Sequence, residues 1–379
     1  MKLQKKICFV ITVPSALRAF MADHIRALSN QHEVTIFCNL SDDSCHNIFD
    51  ESVRLVHIPF ERKIRLWRDF KCFCSLFARL VRGRFDSVHS ILPKTGLLAM
   101  TAGWMARTPV RIHMFTGQVW VTRSGLWRTV LKAMDAIIAH SATNIYADSS
   151  SQRDFLIKEK VLRSCGVLGD GSVNGVDTDR FKADSVARNA VRGQFDIPTD
   201  AFLFGFLGRL NRDKGVLDLV NAFAALDIRE QAYLLLAGRD EEGIEHIVHT
   251  RFSNVWKRIR FAGFTSEPER MYAAFDILCM PSYREGFCSS VIEAAACGVP
   301  ALASRIYGLT DAVEEDVTGL MHEPGNVSEI ADGLLRYATD RALCKQFGRA
   351  ARERVVRKFS RDRLVAQMVH EYERMLGNE

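Results

Sequence analysis

Short apolar runs alternate with amphipathic stretches of helical spacing, twice over along this chain, and no other feature limits its possible folds as tightly. In the first half, residues 7–13, 33–38, 53–58, 87–91, 111–115 and 144–148 read as strands, with helical patterns such as 16–29 between them. A parallel strand is buried on both faces and so reads as an apolar run, and parallel neighbours need a crossover helix. The alternation therefore predicts βαβ units around a parallel sheet. After a helix near 151–159 the pattern loosens into 166–175, where Gly166, Gly169, Gly171 and Gly175 mark a linker.

A second series then begins. Residues 202–207, 232–237, 259–261, 277–280 and 300–303 read as strands, 216–225, 268–275 and 289–296 as helices, and 340–376 as a charged helical stretch. The 379 residues exceed the ~250–300 at which single cores stop growing. The expectation is an α/β protein of two doubly wound, Rossmann-like domains facing each other across a cleft. Residues 1–170 would form the first domain and 171–355 the second, with 356–379 a C-terminal helix packing back on the first.

Composition excludes several classes. At 47% hydrophobic and 25% charged residues the chain is neither disordered nor collagen-like. Its ten cysteines include no C-x-x-C pair, Cys72 and Cys74 being the nearest neighbours, so they read as reduced thiols of a cytoplasmic protein. The apolar run 7–13, preceded by Lys2, Lys5 and Lys6, is too short to span a bilayer and reads as a first buried strand.

Two segments carry chemistry. The first, Gly205 to Gly215, follows a strand and precedes a helix. Its glycines permit close approach of backbone to a ligand, and Arg209 and Lys214 bring two positive charges to the strand's carboxyl end, which suits a diphosphate or, equally, a solvated surface turn. The second, Pro281 to Glu293, is again strand, turn and helix. Amides around Phe287 to Ser290 would point out of a helix N-terminus, which favours phosphate, while Glu285 and Glu293 are suited to accept hydrogen bonds from sugar hydroxyls. Either carboxylate alone reads as an exposed helix residue; beside the first segment the pair reads as half of a ligand site.

Residues 281–300 resemble the E-x7-E signature of glycosyltransferase family 4, retaining enzymes of the GT-B fold. Gly208 to Gly215 is similar to that family's phosphate loop, and Asn174-Gly175-Val176-Asp177 with Arg180-Phe181 to its interdomain segment. The resemblance implies that Arg209 and Lys214 bind the donor diphosphate, Glu285 the donor-sugar hydroxyls and Glu293 the ribose. It also implies that the amides of Phe287 and Cys288 hold the phosphates, and that Gly208, Gly286 and Ser289 belong to the donor site. Gly263 and Phe264 fall where the family passes the nucleotide base, although Phe264 could equally be core. His113 ends a strand where the family often keeps a histidine near the donor sugar, although a lone histidine is usually structural. Cys288 stands where Gly or Pro is common, and residues 12–18 lack the glycine pair many members carry.

The implied function is a retaining, metal-independent hexosyltransferase. It would move a hexose or N-acetylhexosamine from a nucleotide-sugar, UDP favoured, to a glycan or lipid-linked glycan acceptor held by the first domain, near 94–96 or 116–118. The leaving phosphate would help deprotonate the acceptor. No cofactor is implied, and Asp177-Thr178-Asp179, a literal D-x-D, reads as a cap or turn rather than a cation site. Relatives of this type build surface polysaccharide such as capsule or lipopolysaccharide.

Between Glu61 and Arg84 eight basic residues face two acidic ones, an excess equal to the whole net charge of +6. Trp67, Phe70, Phe73, Cys74, Phe77, Leu80 and Val81 recur there at helical spacing. The stretch 62–84 reads as a basic helix lying on an anionic membrane surface, which would make the protein peripheral on the inner face of the cell membrane. The other reading is an apolar stripe packed on the first sheet with solvated charges. No recognisable nucleic-acid motif surrounds these charges. A dinucleotide-dependent oxidoreductase is disfavoured because no G-x-G-x-x-G follows the first strand. Phosphorylase-like and epimerase activities would lack the pair of phosphate loops. A non-catalytic nucleotide-sugar-binding or membrane scaffold of the same fold is disfavoured by the presence of Arg209, Lys214, Glu285 and Glu293.

Overall fold

The computed structural model describes residues 4–41, 49, 51–61, 63–226 and 232–377. Lys2, and Arg62 at the start of the basic stretch 62–84, lie outside the described residues. The chain divides into two compact units, one made of 1–174 with 362–379 and the other of 175–361.

The first unit runs β1 (Lys6–Val10), α1 (Pro14–Phe20), α2 (Ala22–Ser29), β2 (Glu33–Cys38), β3 (Val53–His57), α3 (Leu66–Gly83), β4 (Ser87–Ile91), α4 (Pro93–Met105), β5 (Val110–Phe115), α5 (Gly125–Ser141), β6 (Asn144–Ala147), α6 (Ser150–Lys158) and β7 (Gly166–Val167). Every strand pair is parallel, in the order β3-β2-β1-β4-β5-β6-β7. Along β1, Ile7 and Phe9 belong to one core layer and Cys8 and Val10 to the other. This strand reads as a continuous apolar run because helices cover both faces of the sheet.

The second unit runs α7 (Ser185–Gln194), β8 (Phe202–Leu207), α8 (Val216–Ala224), β9 (Ala232–Ala237), α9 (Ile244–Arg251), β10 (Ile259–Gly263), α10 (Pro268–Ala274), β11 (Ile277–Met280), α11 (Ser289–Ala296), β12 (Ala301–Ser304), α12 (Leu309–Ala312), β13 (Gly319–His322), α13 (Val327–Thr339) and α14 (Arg341–Lys358). Its sheet is parallel too, ordered β10-β9-β8-β11-β12-β13. A last helix, α15 (Arg361–Met375), belongs to the first unit almost entirely. Its Leu364, Met368 and Tyr372 are buried in the same core layer as Phe9, and the Tyr372 hydroxyl lies 2.7 Å from His89 Nδ1.

Three local readings of the sequence are corrected. The single helix over 16–29 is two helices, α1 and α2, parted at Met21, whose side chain is fully buried while its backbone leaves helical values (φ −130°, ψ −8°). The helical stretch 340–376 breaks at Phe359, because Phe359 O accepts from Val176 N at 2.8 Å and Arg361 N donates to Val176 O at 2.9 Å, so backbone groups needed for helical bonds are committed elsewhere. In α3 the buried face is Cys72, Leu76 and Leu80, whereas Trp67, Phe70, Cys74 and Val81 are exposed. Among the described residues no helix is long and apolar enough to cross a membrane.

Candidate functional site

In the second sheet the chain order reverses between β8 and β11, which leaves a crevice outside the carboxyl ends of those two strands. The loops that leave them, 208–215 and 281–288, are the two segments singled out in the sequence. They touch where residues 213–215 meet 281–285, and the loop after β9 closes on the start of the first. Gly215 has φ +66°, and a Cβ there would lie 2.0 Å from Pro281 O. Gly238 has φ +139°, and its Cβ would meet Gly208 O at 1.8 Å. Only glycine allows these approaches.

Side chains continue the contact. Tyr283 N donates to Asp213 O at 2.9 Å, Arg284 Nε to Asp213 Oδ2 at 3.1 Å, and Lys214 Nζ to Glu285 Oε1 at 2.5 Å. Lys214 and Glu285 are mostly withdrawn from water, with side-chain exposures of 17% and 11%. The 3-10 turn carrying Lys214 is capped by Asn211, whose Oδ1 accepts from Lys214 N at 3.1 Å. Arg209 is half-exposed and pairs with Glu241 at 3.1 Å; Glu241 also accepts from Asn211 Nδ2 at 2.8 Å.

The second loop turns its side chains inward. Phe287 packs against Phe359, with ring centroids 5.3 Å apart, and the Cys288 thiol lies in the core, where burial pushes its pKa well up. The unusual Cys288 thus takes up core volume, and its side chain does not stand in the crevice. Gly308 backs this loop, since a Cβ there would lie 2.3 Å from Gly286 O. Cys288 is the N-cap of α11 and Ser289 its first residue, while Ser290 Oγ donates to Leu207 O at 3.2 Å, tying the helix start to the end of β8. One helical turn on, Glu293 Oε2 accepts from the Tyr272 hydroxyl at 2.8 Å. Burial raises the Glu293 carboxyl, and the tyrosine hydrogen bond and nearby Arg180 oppose that.

Arg209, Lys214, Glu285, Gly286, Phe287, Cys288, Ser289, Glu293 and Gly208 therefore belong to one end of one sheet. Gly263 ends β10 with φ +66°, and Phe264 is 71% exposed with the Arg239 guanidinium 5.8 Å from its ring centre, so it is not a core residue. His113 lies in the first unit on β5 and is buried, its Nδ1 2.8 Å from Ser90 Oγ. Desolvation lowers its pKa to about 3, which keeps the ring neutral. Asp177 accepts from the amides of Asp179 and Arg180 at 3.0 Å each and pairs with Arg361 at 3.2 Å, a turn-capping arrangement. Asn211, Asp213 and Arg284 sat inside the sequence motifs without a role, whereas Glu241 and Tyr272 carried no signal because only the fold brings them to the loops.

Known proteins resemble this chain in sequence and in fold. A family model described as Glycosyl transferase 4-like domain matches residues 16–164, and one described as Glycosyl transferases group 1 matches 187–354. The capsular polysaccharide biosynthesis glycosyltransferase CapM of Staphylococcus aureus is 28% identical over 365 residues, covering 94% of this chain and 93% of that protein. The UDP-Gal:alpha-D-GlcNAc-diphosphoundecaprenol alpha-1,3-galactosyltransferase of Escherichia coli is 24% identical over 351 residues, covering 89% of each. Among solved structures, sucrose-phosphate synthase of Thermosynechococcus elongatus superposes with a TM-score of 0.82 at 21% identity, covering 99% of this chain and 100% of that one. Anabaena HepE in complex with UDP and glucose superposes with a TM-score of 0.81 at 17% identity, covering 98% and 100%. Two parallel-sheet units of the GT-B type, the two family matches and the loop pair at the β8/β11 switch point lead to one assignment: the chain belongs to the group 1 glycosyltransferases.

Proposed function

We propose that this enzyme moves a hexose or N-acetylhexosamine from a nucleoside-diphosphate sugar, UDP in the first instance, to a polyprenyl-diphosphate-linked glycan, with retention and without a metal. The Lys214–Glu285 pair at the switch point carries the reading, since it sets one cation and one hydroxyl acceptor side by side where such sheets take their ligands. The names of CapM and of the galactosyltransferase, and the UDP held by HepE, support the substrate classes.

Lys214 and Arg209 receive the diphosphate and stabilise the negative charge that grows on it as the glycosidic C1–O bond breaks. The acceptor hydroxyl oxygen bonds to C1 on the face the diphosphate leaves, and its proton passes to the departing phosphate oxygen. Glu285 takes donor-sugar hydroxyls, Glu293 the ribose, and amides of 286–289 the phosphates. Gly263 leaves room for the base beside Phe264. His113, neutral by burial, would serve the donor sugar as a hydrogen-bonding group rather than a charge.

The first unit holds the acceptor, and the exposed Trp67 and Phe70 of α3, with Lys71 5.6 Å from the Trp67 ring centre, bring it to an anionic membrane. Nucleotide release from a panel of UDP- and GDP-sugars tests the reading. Turnover with a UDP-sugar that is unchanged by EDTA and abolished by Glu285→Ala is expected. Near-full activity in that variant overturns the site, and inversion at the anomeric carbon by NMR overturns the mechanism.

A further inference from the structure

Two helices of the first unit open on the same tripeptide. α3 starts Leu66-Trp67-Arg68, α5 starts Gly125-Leu126-Trp127-Arg128, and an apolar residue stands four places after each leucine, Phe70 and Val130. Both helices follow strands of one parallel sheet and both pack on α4, so both first turns stand at the sheet's carboxyl rim on the same side. In each, leucine and tryptophan point away from the core. Leu66 is 81% and Trp67 69% exposed, Leu126 78% and Trp127 67%.

The charges repeat as well. Glu61 is the carboxylate for both Arg65 and Arg68, and Glu159 for both Arg128 and Lys132. One acid answers two bases at each turn, and Lys71 and the exposed Arg123 lie close by in sequence. A surface fitting both turns is apolar within and anionic at its edge, with an interfacial layer that suits indole rings. Anionic lipid meets that description. A second copy of this chain would bring positive charge against positive charge, and nucleic acid offers nothing to the leucines.

We infer that the Leu126–Trp127 turn of α5 is a second anchor to an anionic lipid surface, acting together with Leu66–Trp67 of α3. The inference rests on the membrane reading above. Two anchors held by one packed layer make the second insertion intramolecular, so loss of either lowers affinity far more than its own contacts would suggest. The turn of α5 then fixes which edge of the first unit faces the lipid.

Sedimentation of the full chain with phosphatidylglycerol–phosphatidylcholine vesicles tests this, with circular dichroism and sedimentation velocity on each variant. Leu126→Ser with Trp127→Ser is expected to lower partitioning at least tenfold, as is Leu66→Ser with Trp67→Ser. Arg123→Gln, a milder probe of the same turn, is expected to lower it several-fold on phosphatidylglycerol-rich vesicles alone. If the α5 variants bind like the parent while the α3 variant does not, the second anchor is overturned and the α3 reading stands. If the parent does not bind, both fall. A variant that converts a dimer to a monomer without changing lipid binding makes the turn a copy interface and overturns the proposal.

Discussion

Asp213 and Arg284 form an ion pair, 3.1 Å from Oδ2 to Nε, and the next residue of each loop forms the Lys214–Glu285 pair with the charges reversed. A slip of one residue between the loops would set acid against acid in one direction or base against base in the other, so the crossed pairs fix the register in which Lys214 meets Glu285. Arg284→Ala is expected to raise the donor KM about three- to tenfold, near the ~1 kcal/mol of a partly exposed pair, with a smaller change in kcat. Exchanging the two residues, Asp213→Arg with Arg284→Asp, is expected to recover most of that loss in steady-state kinetics.

Close backbone approach makes the glycines in and beside these loops sensitive. Gly215→Ala combines φ +66° with a Cβ 2.0 Å from Pro281 O, and Gly238→Ala brings a Cβ to 1.8 Å from Gly208 O. Each is expected to cost about 2–4 kcal/mol and to lower the Tm by about 5–10 °C. Gly243→Ala, with a similar φ of +69° and open space around its Cβ, separates backbone strain from collision and is expected to cost about half as much.

Three buried histidines of the first unit make its stability depend on acid. Burial lowers His24 to about 4 and His89 and His113 to about 3 from 6.5. The unfolded chain then binds more protons than the folded one between pH 6.5 and those values. Stability is therefore whole above pH 6.5 and falls as the pH drops through that window, by up to ~1.4 kcal/mol per pH unit for each group. Urea midpoints at pH 7 and pH 5 measure the fall, and His89→Gln is expected to make it shallower.

Burial raises the Glu293 carboxyl, and the hydrogen bond from the Tyr272 hydroxyl opposes that rise. Tyr272→Phe removes a donor to the charged form, so the Glu293 pKa is expected to rise further. With Glu293 on the ribose, the acid limb of the donor KM profile moves to higher pH in the variant, while kcat at pH 8 changes little.

Much of this was legible in the chain because it is local. The βαβ alternation and both glycine-bearing loops are written in consecutive residues. The partners of those loops are not, since Glu241 and Tyr272 reach Arg209 and Glu293 only through the fold. In α3 spacing alone could not say that Cys72, Leu76 and Leu80 form the inner stripe. The break at Phe359 follows from a backbone pairing with Val176 far away in sequence, which no propensity records. The Leu-Trp-Arg repeat escaped notice because three residues are too few to stand out until both copies lie at one rim.

The first unit is closed by α15, whose Tyr372 and Leu364 are buried in the layer that holds Phe9. The ribosome must therefore complete the entire second unit before the first can acquire its last core residues. Until then the early half lacks part of its core, and a nascent chain released between Arg361 and Tyr372 would carry a complete second unit attached to an unfinished first one. The unit synthesised first is thus the last to be completed.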